Sequence, residues 1–238
     1  MASTIRLGDL AVEVVFKDIK NVHLSVHPPG GRVSISAPNR MSLATVRLFA
    51  ISKLNWIRQQ QRKIRAQDRE PEREYLERES HYVWGKRYLL SVREHDAPSE
   101  VELKHRKILL HVRPNTTEDM RERIVDAWYR EQLKLATPPL IAKWEPLLKV
   151  KVSRFFVQRM KTKWGSCNHI AGNIRLNTDL AKKPREYLEY IVVHEMVHLV
   201  EPTHSARFVA LMDHFIPSWQ WFREALNNLP LRHEKWDC

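Results

Sequence analysis

The sequence predicts an α+β protein, with a β-rich N-terminal half that contains one long helix and a C-terminal half of mixed helices and strands. Two observations support this prediction. Apolar and polar side chains alternate in short stretches through residues 1–112, as they do in strands. Further along, apolar residues recur mainly at three- and four-residue intervals, which is the spacing of amphipathic helices. We therefore predict a β-rich N-terminal region at 1–112 and a second domain at 113–238.

In the N-terminal half, strands alternate with turn-forming residues. The alternation surrounds a Pro-Pro-Gly-Gly turn at 28–31, and one long helix with a serine cap is predicted over 42–67. The segment 68–79 is almost entirely charged, which predicts a solvated, mobile connector. A hairpin around Gly85 and a strand at 107–112 complete this half.

In the C-terminal half, capping residues and prolines set the predicted helix ends. A helix that begins near Thr116 is expected to end before Pro138, because proline inside a helix removes a hydrogen bond and clashes with the preceding turn. A short helix over 139–148 follows. The remaining predicted elements are strands at 152–158 and 173–177 and helices at 184–200, 205–215 and 218–229.

The composition is that of an ordinary globular protein. Of 238 residues, 43% are apolar and 29% are charged, which excludes a globally disordered chain. No apolar run approaches the roughly 18 residues that a membrane span needs, and the N-terminus lacks the pattern of a signal peptide. Cys167 and Cys238 have no paired spacing, so we expect reduced thiols. These features predict a cytoplasmic protein without membrane contact.

The chain is basic, with 40 lysines and arginines against 28 acidic residues and a formal net charge of +12. Such a balance permits weak contact with nucleic acid or with an acidic partner. Positive charge concentrates just before a polar loop that contains Trp164-Gly165-Ser166-Cys167, and it forms either a basic rim or a solvated strand face. The basic residues concerned are Lys149, Lys151, Arg154, Arg159, Lys161 and Lys163.

The residues that carry chemistry are His194-Glu195-Met196-Val197-His198, inside the helix predicted at 184–200. Two histidines four residues apart lie on the same helical face, so both imidazoles reach one ion. Glu195 lies near the open side of such an ion, where it can take a proton from bound water. Zinc is the natural candidate, because three protein ligands and a water form its tetrahedral catalytic site.

A third histidine, His204, stands six residues beyond His198 and is the predicted third ligand. The other interpretation of His204 is a surface residue beside the cap of the next helix. Glu224 and His214 are competing third ligands. With three ligands, the sequence predicts one Zn²⁺ per chain.

Taken together, these motifs resemble the YgjP-like metallopeptidases, a bacterial zincin family related to the SprT-like proteases. The resemblance covers nearly the whole chain, and its most specific motifs follow one another in a single order. The matching segments are the Trp-Gly-Ser-Cys loop within 160–168, the Asn-Ile-Arg-Leu-Asn strand within 172–177, the His-Glu-x-x-His helix within 190–198 and Thr-His-Ser at 203–205.

The resemblance implies a zincin-like C-terminal half in which an active-site helix packs on a small sheet. It also implies zinc on His194, His198 and His204, Glu195 as general base, and hydrolysis of peptide bonds in a polypeptide substrate. The strand at 173–177 would then offer an exposed edge to the substrate, unless the Trp-Gly-Ser-Cys loop is simply a packing element.

Three other functions remain open from the sequence. The first is a basic nucleic-acid-associated protein whose zinc is structural. The second is a zinc hydrolase that acts on a substrate other than a peptide. The third is a scaffold that has lost enzymatic activity and holds no metal.

Overall fold

The computed structural model describes residues 2–27, 30–66, 73–160 and 163–228. The chain divides into two compact units, one formed by residues 1–71 with 228–238 and the other by residues 72–227. The described residues contain helices and three sheets that mix parallel and antiparallel pairs, so the predicted α+β class is confirmed. The boundary predicted between residues 112 and 113 falls within the second unit.

The described elements of the first unit are β1 (Ala2–Leu7), β2 (Leu10–Lys17), β3 (His23–His27), β4 (Arg32–Pro38), α1 (Leu43–Ser52) and α2 (Leu54–Ala66). The strand order is β1-β2-β4-β3, with β2 and β4 parallel. Alternate residues of these inner strands are buried, and Val12 lies opposite Val33. Val46 and Ala50 of α1 and Ile57 of α2 complete this apolar core. Pro28 and Pro29 of the predicted turn lie outside the described residues.

Two helices replace the single helix predicted over 42–67, so that detail of the prediction is wrong. The break lies at Lys53, whose φ of −106° and ψ of 5° are not helical. The N–H of Lys53 donates to the carbonyl of Ala50, and the Ser52 hydroxyl donates to the carbonyl of Phe49. Such short-range hydrogen bonds compete with the regular helical pattern and favour a helix end.

The second unit begins with β5 (Ser80–Val83), β6 (Lys86–Glu94), β7 (Glu100–Lys104) and β8 (Lys107–Val112). Their order is β5-β6-β8-β7 with β6 and β8 parallel, which is the topology of the first sheet. The predicted hairpin around Gly85 is confirmed as β5–β6, and Trp84 and Gly85 in its turn have φ of 49° and 76°. Their N–H groups donate to the carbonyls of Ala181 and Lys182.

Part of the predicted connector at 68–79 is held in place. Residues 68–72 lie outside the described residues. Beyond them, one carboxylate oxygen of Glu79 accepts the N–H groups of Glu74 and Tyr75 at 2.9 and 2.6 Å. The Tyr75 side chain is buried. Residues 73–79 therefore form a hydrogen-bonded local turn where a mobile connector is predicted, although Glu74, Glu77 and Arg78 are exposed and so solvated as predicted.

The next element is α3 (Glu118–Leu148), one continuous helix where two helices separated at Pro138 are predicted. Pro138 and Pro139 lie on its exposed side, where water can bond to the carbonyl groups that proline leaves without a partner. Proline costs about 3 kcal/mol in a helix, whereas each large buried apolar side chain contributes about 1.5–3 kcal/mol. The buried face of α3 runs past the prolines through Val125, Tyr129, Leu133, Thr137, Ile141, Trp144 and Leu148.

None of the described helices, α3 included, combines the length and apolarity that a membrane crossing requires.

The remaining elements are β9 (Arg154–Gln158), β10 (Gly165–Asn168), β11 (Asn173–Asn177), a 3₁₀ helix (Thr178–Lys182), α4 (Arg185–Val197), α5 (Ala206–Phe215) and α6 (Trp219–Asn228). The sheet order is β10-β11-β9. Two expectations are corrected here. The predicted loop with Trp164 continues as strand β10, because the Asn168 side chain accepts the N–H of Ala171 and closes a hairpin with β11. The strand at 173–177 has neighbours on both sides, so the two edge strands of this described sheet are β9 and β10.

We predict that replacement of Gly85 destabilises the second unit. A Cβ added there would lie 2.7 Å from Cγ of Pro184, just before α4, and the φ of 76° disfavours alanine. Gly85→Ala should therefore lower the free energy of unfolding by about 2 kcal/mol or more, measured by urea unfolding. Gly8→Ala is the control, because Gly8 has a φ of 66° but no atom within 4 Å of the added Cβ. Equal losses in the two variants would contradict the close contact.

Candidate metal centre

The His-Glu-x-x-His residues lie on α4, a helix that is buried on most of its surface. Leu188, Val192 and Met196 are each at most 1% exposed. The helix packs on β10 and β11 and contacts α3 and α5. It ends at Val197, three residues earlier than predicted, and His198 is its C-cap. Because the apolar side chains hold α4 in place, the positions of the motif residues are fixed as well, with Glu195 buried and His194 and His198 half-buried.

The three histidines predicted as metal ligands lie together. Their ligand atoms are all within 4.8 Å of one another, and Nε2 of His194 lies 3.2 Å from Nε2 of His204. The ring centroid of His198 is 5.0 Å from that of His194 and 4.7 Å from that of His204. His204 follows a turn after α4, in which the N–H of Glu201 donates to the carbonyl of Val197.

A hydrogen bond and an aromatic ring orient these imidazoles. Nδ1 of His198 lies 3.1 Å from the carbonyl oxygen of Glu201. A proton on Nδ1 that is donated to this carbonyl leaves the lone pair on Nε2, the usual arrangement for a ligating histidine. Phe208 is fully buried, and its ring centroid lies 5.0, 4.6 and 4.7 Å from those of His194, His198 and His204. The sequence analysis missed Phe208, which resembles any core residue of an amphipathic helix.

Burial keeps His194 and His198 neutral. Burial, together with the neighbouring His198 and His204, lowers the pKa of His194 to about 3. Burial also lowers the pKa of His198. Neutral imidazole is the form that binds a metal ion, so these side chains offer lone pairs at neutral pH. Among the described residues the cluster offers three imidazole donors, a set that fits a divalent cation such as zinc and leaves one coordination position for water or substrate.

The competing ligands lie elsewhere. Glu224 is exposed on α6 and His214 is exposed on α5. Within the described ranges, the one cluster of at least three side chains that could hold a metal ion is the histidine triad. Burial and the charge of Glu195 raise the pKa of the Cys167 thiol to about 11. Cys167 is therefore protonated at neutral pH and unsuited to bind a metal or act as a nucleophile. Cys238 lies outside the described residues.

The Glu195 side chain is 4% exposed and faces Gly165, the first residue of β10. Burial raises the pKa of Glu195 to about 8, while the charge of Lys163 lowers it. A Cβ at residue 165 would lie 2.5 Å from Oε1 and 2.9 Å from Cδ of Glu195. Glycine is therefore needed at position 165, because the Glu195 carboxylate occupies the space that a side chain would fill. The sequence alone does not reveal this contact, because the two residues are far apart along the chain.

Asn177, at the end of β11, holds the segment that leads into β10. The side chain is buried, and its Nδ2 donates to the carbonyls of Met160 and Lys163 at 2.8 Å each. The backbone N–H of Asn177 donates to the carbonyl of Trp164 at 2.9 Å. These bonds fix the chain immediately before Gly165 and so maintain its approach to Glu195. The second asparagine of the Asn-Ile-Arg-Leu-Asn motif is thus a positioning residue.

The basic run before β10 is exposed but partly neutralised. Lys151 forms an ion pair with Glu145 at 3.0 Å, and Arg159 forms one with Glu122 at 3.6 Å. Lys161 lies outside the described residues. Exposed pairs of this kind contribute little to stability but reduce the local positive potential. This pattern fits the solvated strand face better than the basic rim.

We predict that removal of His204 weakens zinc binding. His204→Ala should lower the zinc affinity by about 100-fold or more, because loss of even an indirect partner of a ligand costs 10–100-fold. Competition with a chromophoric chelator measures the affinity. His214→Ala is the matched control and should bind zinc as the wild type does, since His214 lies outside the cluster. Unchanged affinity in His204→Ala would exclude this residue from the site.

Comparison with known proteins places the chain in a family. No curated protein sequence shows a significant match. The metallopeptidase zymogen of Pyrococcus abyssi abylysin is similar at 19% identity and a TM-score of 0.35, over 37% of this chain and 89% of that one. The zymogen of Methanocaldococcus jannaschii jannalysin is similar at 19% identity and a TM-score of 0.33, over 37% and 90%. The family model of the YgjP-like metallopeptidase domain matches residues 20–229, and the chain belongs to this family.

Proposed function

We propose that this metallopeptidase hydrolyses peptide bonds with one zinc ion held by His194, His198 and His204 and with Glu195 as general base. The observation that carries the proposal is that the ligand atoms of three imidazoles lie within 4.8 Å of one another, beside the buried carboxylate of Glu195 on α4. The family match supports peptide bonds as the substrate. We propose that the substrate is a polypeptide.

The donor set favours a catalytic metal over a structural one. Structural zinc sites are closed by four protein ligands, whereas catalytic sites keep a position for water or substrate. The described residues offer three donors at this point. When bound, a divalent cation supplies Lewis-acid polarisation of the scissile carbonyl, lowers the pKa of a water and favours the charged form of a nearby carboxylate.

Glu195 supplies the proton transfers in this proposal. Its carboxylate accepts a proton from the attacking water as the water oxygen bonds to the scissile carbonyl carbon. The same group then donates that proton to the amide nitrogen as the carbon–nitrogen bond breaks, so the leaving amine departs neutral. The side chain is suited to this role because it is 4% exposed and confined by Gly165.

The substrate backbone is proposed to lie along β10. On one side this strand pairs with β11, and among the described residues no strand pairs with its other edge. An extended peptide can add to such an edge through main-chain hydrogen bonds. Gly165 lies on β10 and touches Glu195, so a peptide bound there would pass beside the proposed base.

We predict that Glu195→Gln separates metal binding from catalysis. The amide keeps the shape of the side chain but cannot accept the proton, so kcat should fall by about 10²–10⁴-fold while zinc content stays at the wild-type level. Cleavage of a mixed peptide library, followed by mass spectrometry, and elemental analysis measure the two properties. Glu224→Gln is the control, because Glu224 is exposed and outside the cluster. Wild-type cleavage by Glu195→Gln would refute its assignment as the base.

We also predict that Gly165→Ala impairs catalysis through Glu195. The added methyl group would fall 2.5 Å from Oε1, so the carboxylate must move. A displacement of about 1 Å costs roughly 100-fold in kcat, while zinc affinity should stay within a factor of two or three of wild type. Ser166→Ala, at the next residue of β10, is the matched control and should leave kcat almost unchanged. Parallel loss of zinc binding and kcat in Gly165→Ala would contradict a specific effect on Glu195.

A further inference from the structure

The first unit has an uneven distribution of charge. Between Asp18 and Asp68 the sequence contains no aspartate or glutamate. Positive side chains nevertheless recur throughout this stretch, which gives the first unit a local positive potential that the second unit does not share over any comparable length. The residues concerned are Lys20, Arg32, Arg40, Arg47, Lys53, Arg58, Arg62, Lys63 and Arg65.

Three of these arginines line one groove. Arg58, Arg62 and Arg65 follow one another on α2 at intervals of four and three residues, so they lie on one helical face, and all three are exposed. They border a cavity of about 450 Å³ between α2 and the turn that joins β1 to β2. Its other lining residues are Asp9, Leu10 and Gln61.

Helix α2, which forms one wall of the groove, is held in place by contacts with the rest of the first unit. The Gln61 amide donates to the carbonyl of Gly31 at 2.7 Å, and Ile57 is fully buried in the core of the unit. Gly31 has a φ of 82°, and a Cβ there would lie 2.9 Å from Cγ of Gln61. Helix α2 is therefore anchored by Ile57 and by this contact. Its arginine side chains are exposed and, among the described residues, make only long contacts, since Nε of Arg65 donates to the carbonyl of Gly30 at 3.4 Å and Arg58 lies 3.8 Å from Asp9.

The groove also contains one acidic residue. Asp9 lies 3.8 Å from Arg58, and the two side chains are 90% and 63% exposed. The Asp9 carboxylate offsets part of the positive charge, but three arginines against one carboxylate leave an excess of positive charge in the groove. Asp9 does oppose binding of an anion, because a bound phosphate would approach its carboxylate.

We propose that this arginine groove binds the phosphodiester backbone of a nucleic acid. Guanidinium groups bind phosphate oxygens in a bidentate manner, and a row of them along a helix fits a ligand with regularly repeated charges. A membrane surface fits less well, since an interfacial helix inserts an apolar face, whereas Leu10 is the one apolar side chain among the described residues that line this groove. The groove belongs to the first unit, so this proposal is independent of the metal centre.

Salt-dependent binding of a fluorescein-labelled oligonucleotide to the full chain tests the proposal. At 50 mM salt, the variant with Arg58→Gln, Arg62→Gln and Arg65→Gln should bind at least about tenfold more weakly than wild type, and the slope of log K against log salt should fall by about 2 to 3. Asp9→Asn should instead bind about two- to fivefold more tightly, a gain that misfolding does not produce.

A charge-matched control separates the groove from general basicity. The variant with Lys149→Gln, Lys151→Gln and Arg154→Gln removes the same charge from the exposed basic run of the second unit and should change affinity less than about threefold. Equal losses in the two triple variants would overturn the proposal. So would the absence of binding at 50 mM salt, or arginine-dependent binding of anionic phospholipid vesicles or polyglutamate without binding of the oligonucleotide.

Discussion

The site in the second unit depends on one constraint, which is that the fold holds three imidazole rings with their ligand nitrogens close together. Nε2 of His194 and Nε2 of His204 are 3.2 Å apart, and the ligand atoms of the triad lie within 4.8 Å. Without an ion, two neutral rings at this distance need a proton between them. A divalent cation satisfies all three lone pairs at once. Because α4 is packed on a sheet and two helices, it cannot rotate to separate the rings.

Three residues of the surrounding structure contact or position the histidine triad and Glu195. Phe208 packs against all three imidazoles from α5. Gly165 brings β10 against Glu195, and Asn177 ties the chain before β10 to the end of β11. These contacts join α4, α5 and the β9–β11 sheet into a single support for the site. Such support matters because small displacements of catalytic groups have large effects on rate.

The sequence predicts features that depend on local spacing and misses those that depend on distant contacts. Periodicity predicts most strands and helices, and these elements together predict the α+β class. The four-residue spacing of His194 and His198 places the pair on one helical face. The continuity of α3 through Pro138 could not be predicted from the proline alone, because burial of the opposite face outweighs the proline cost. The need for glycine at position 165 arises from Glu195, thirty residues further along the chain. The motif therefore predicts which residues carry the chemistry, but not which distant residues hold them in position.

X-ray absorption at the zinc edge, measured on the purified full chain loaded with zinc, tests the central claim most directly. Three imidazole nitrogens and one further light atom are expected in the first shell, all at about 2.0–2.1 Å. The same shell is expected after His214→Ala, whereas His204→Ala should remove one imidazole. A sulfur scatterer at about 2.3 Å, or fewer than three imidazoles in the wild-type protein, would contradict a zinc ion held by the histidine triad.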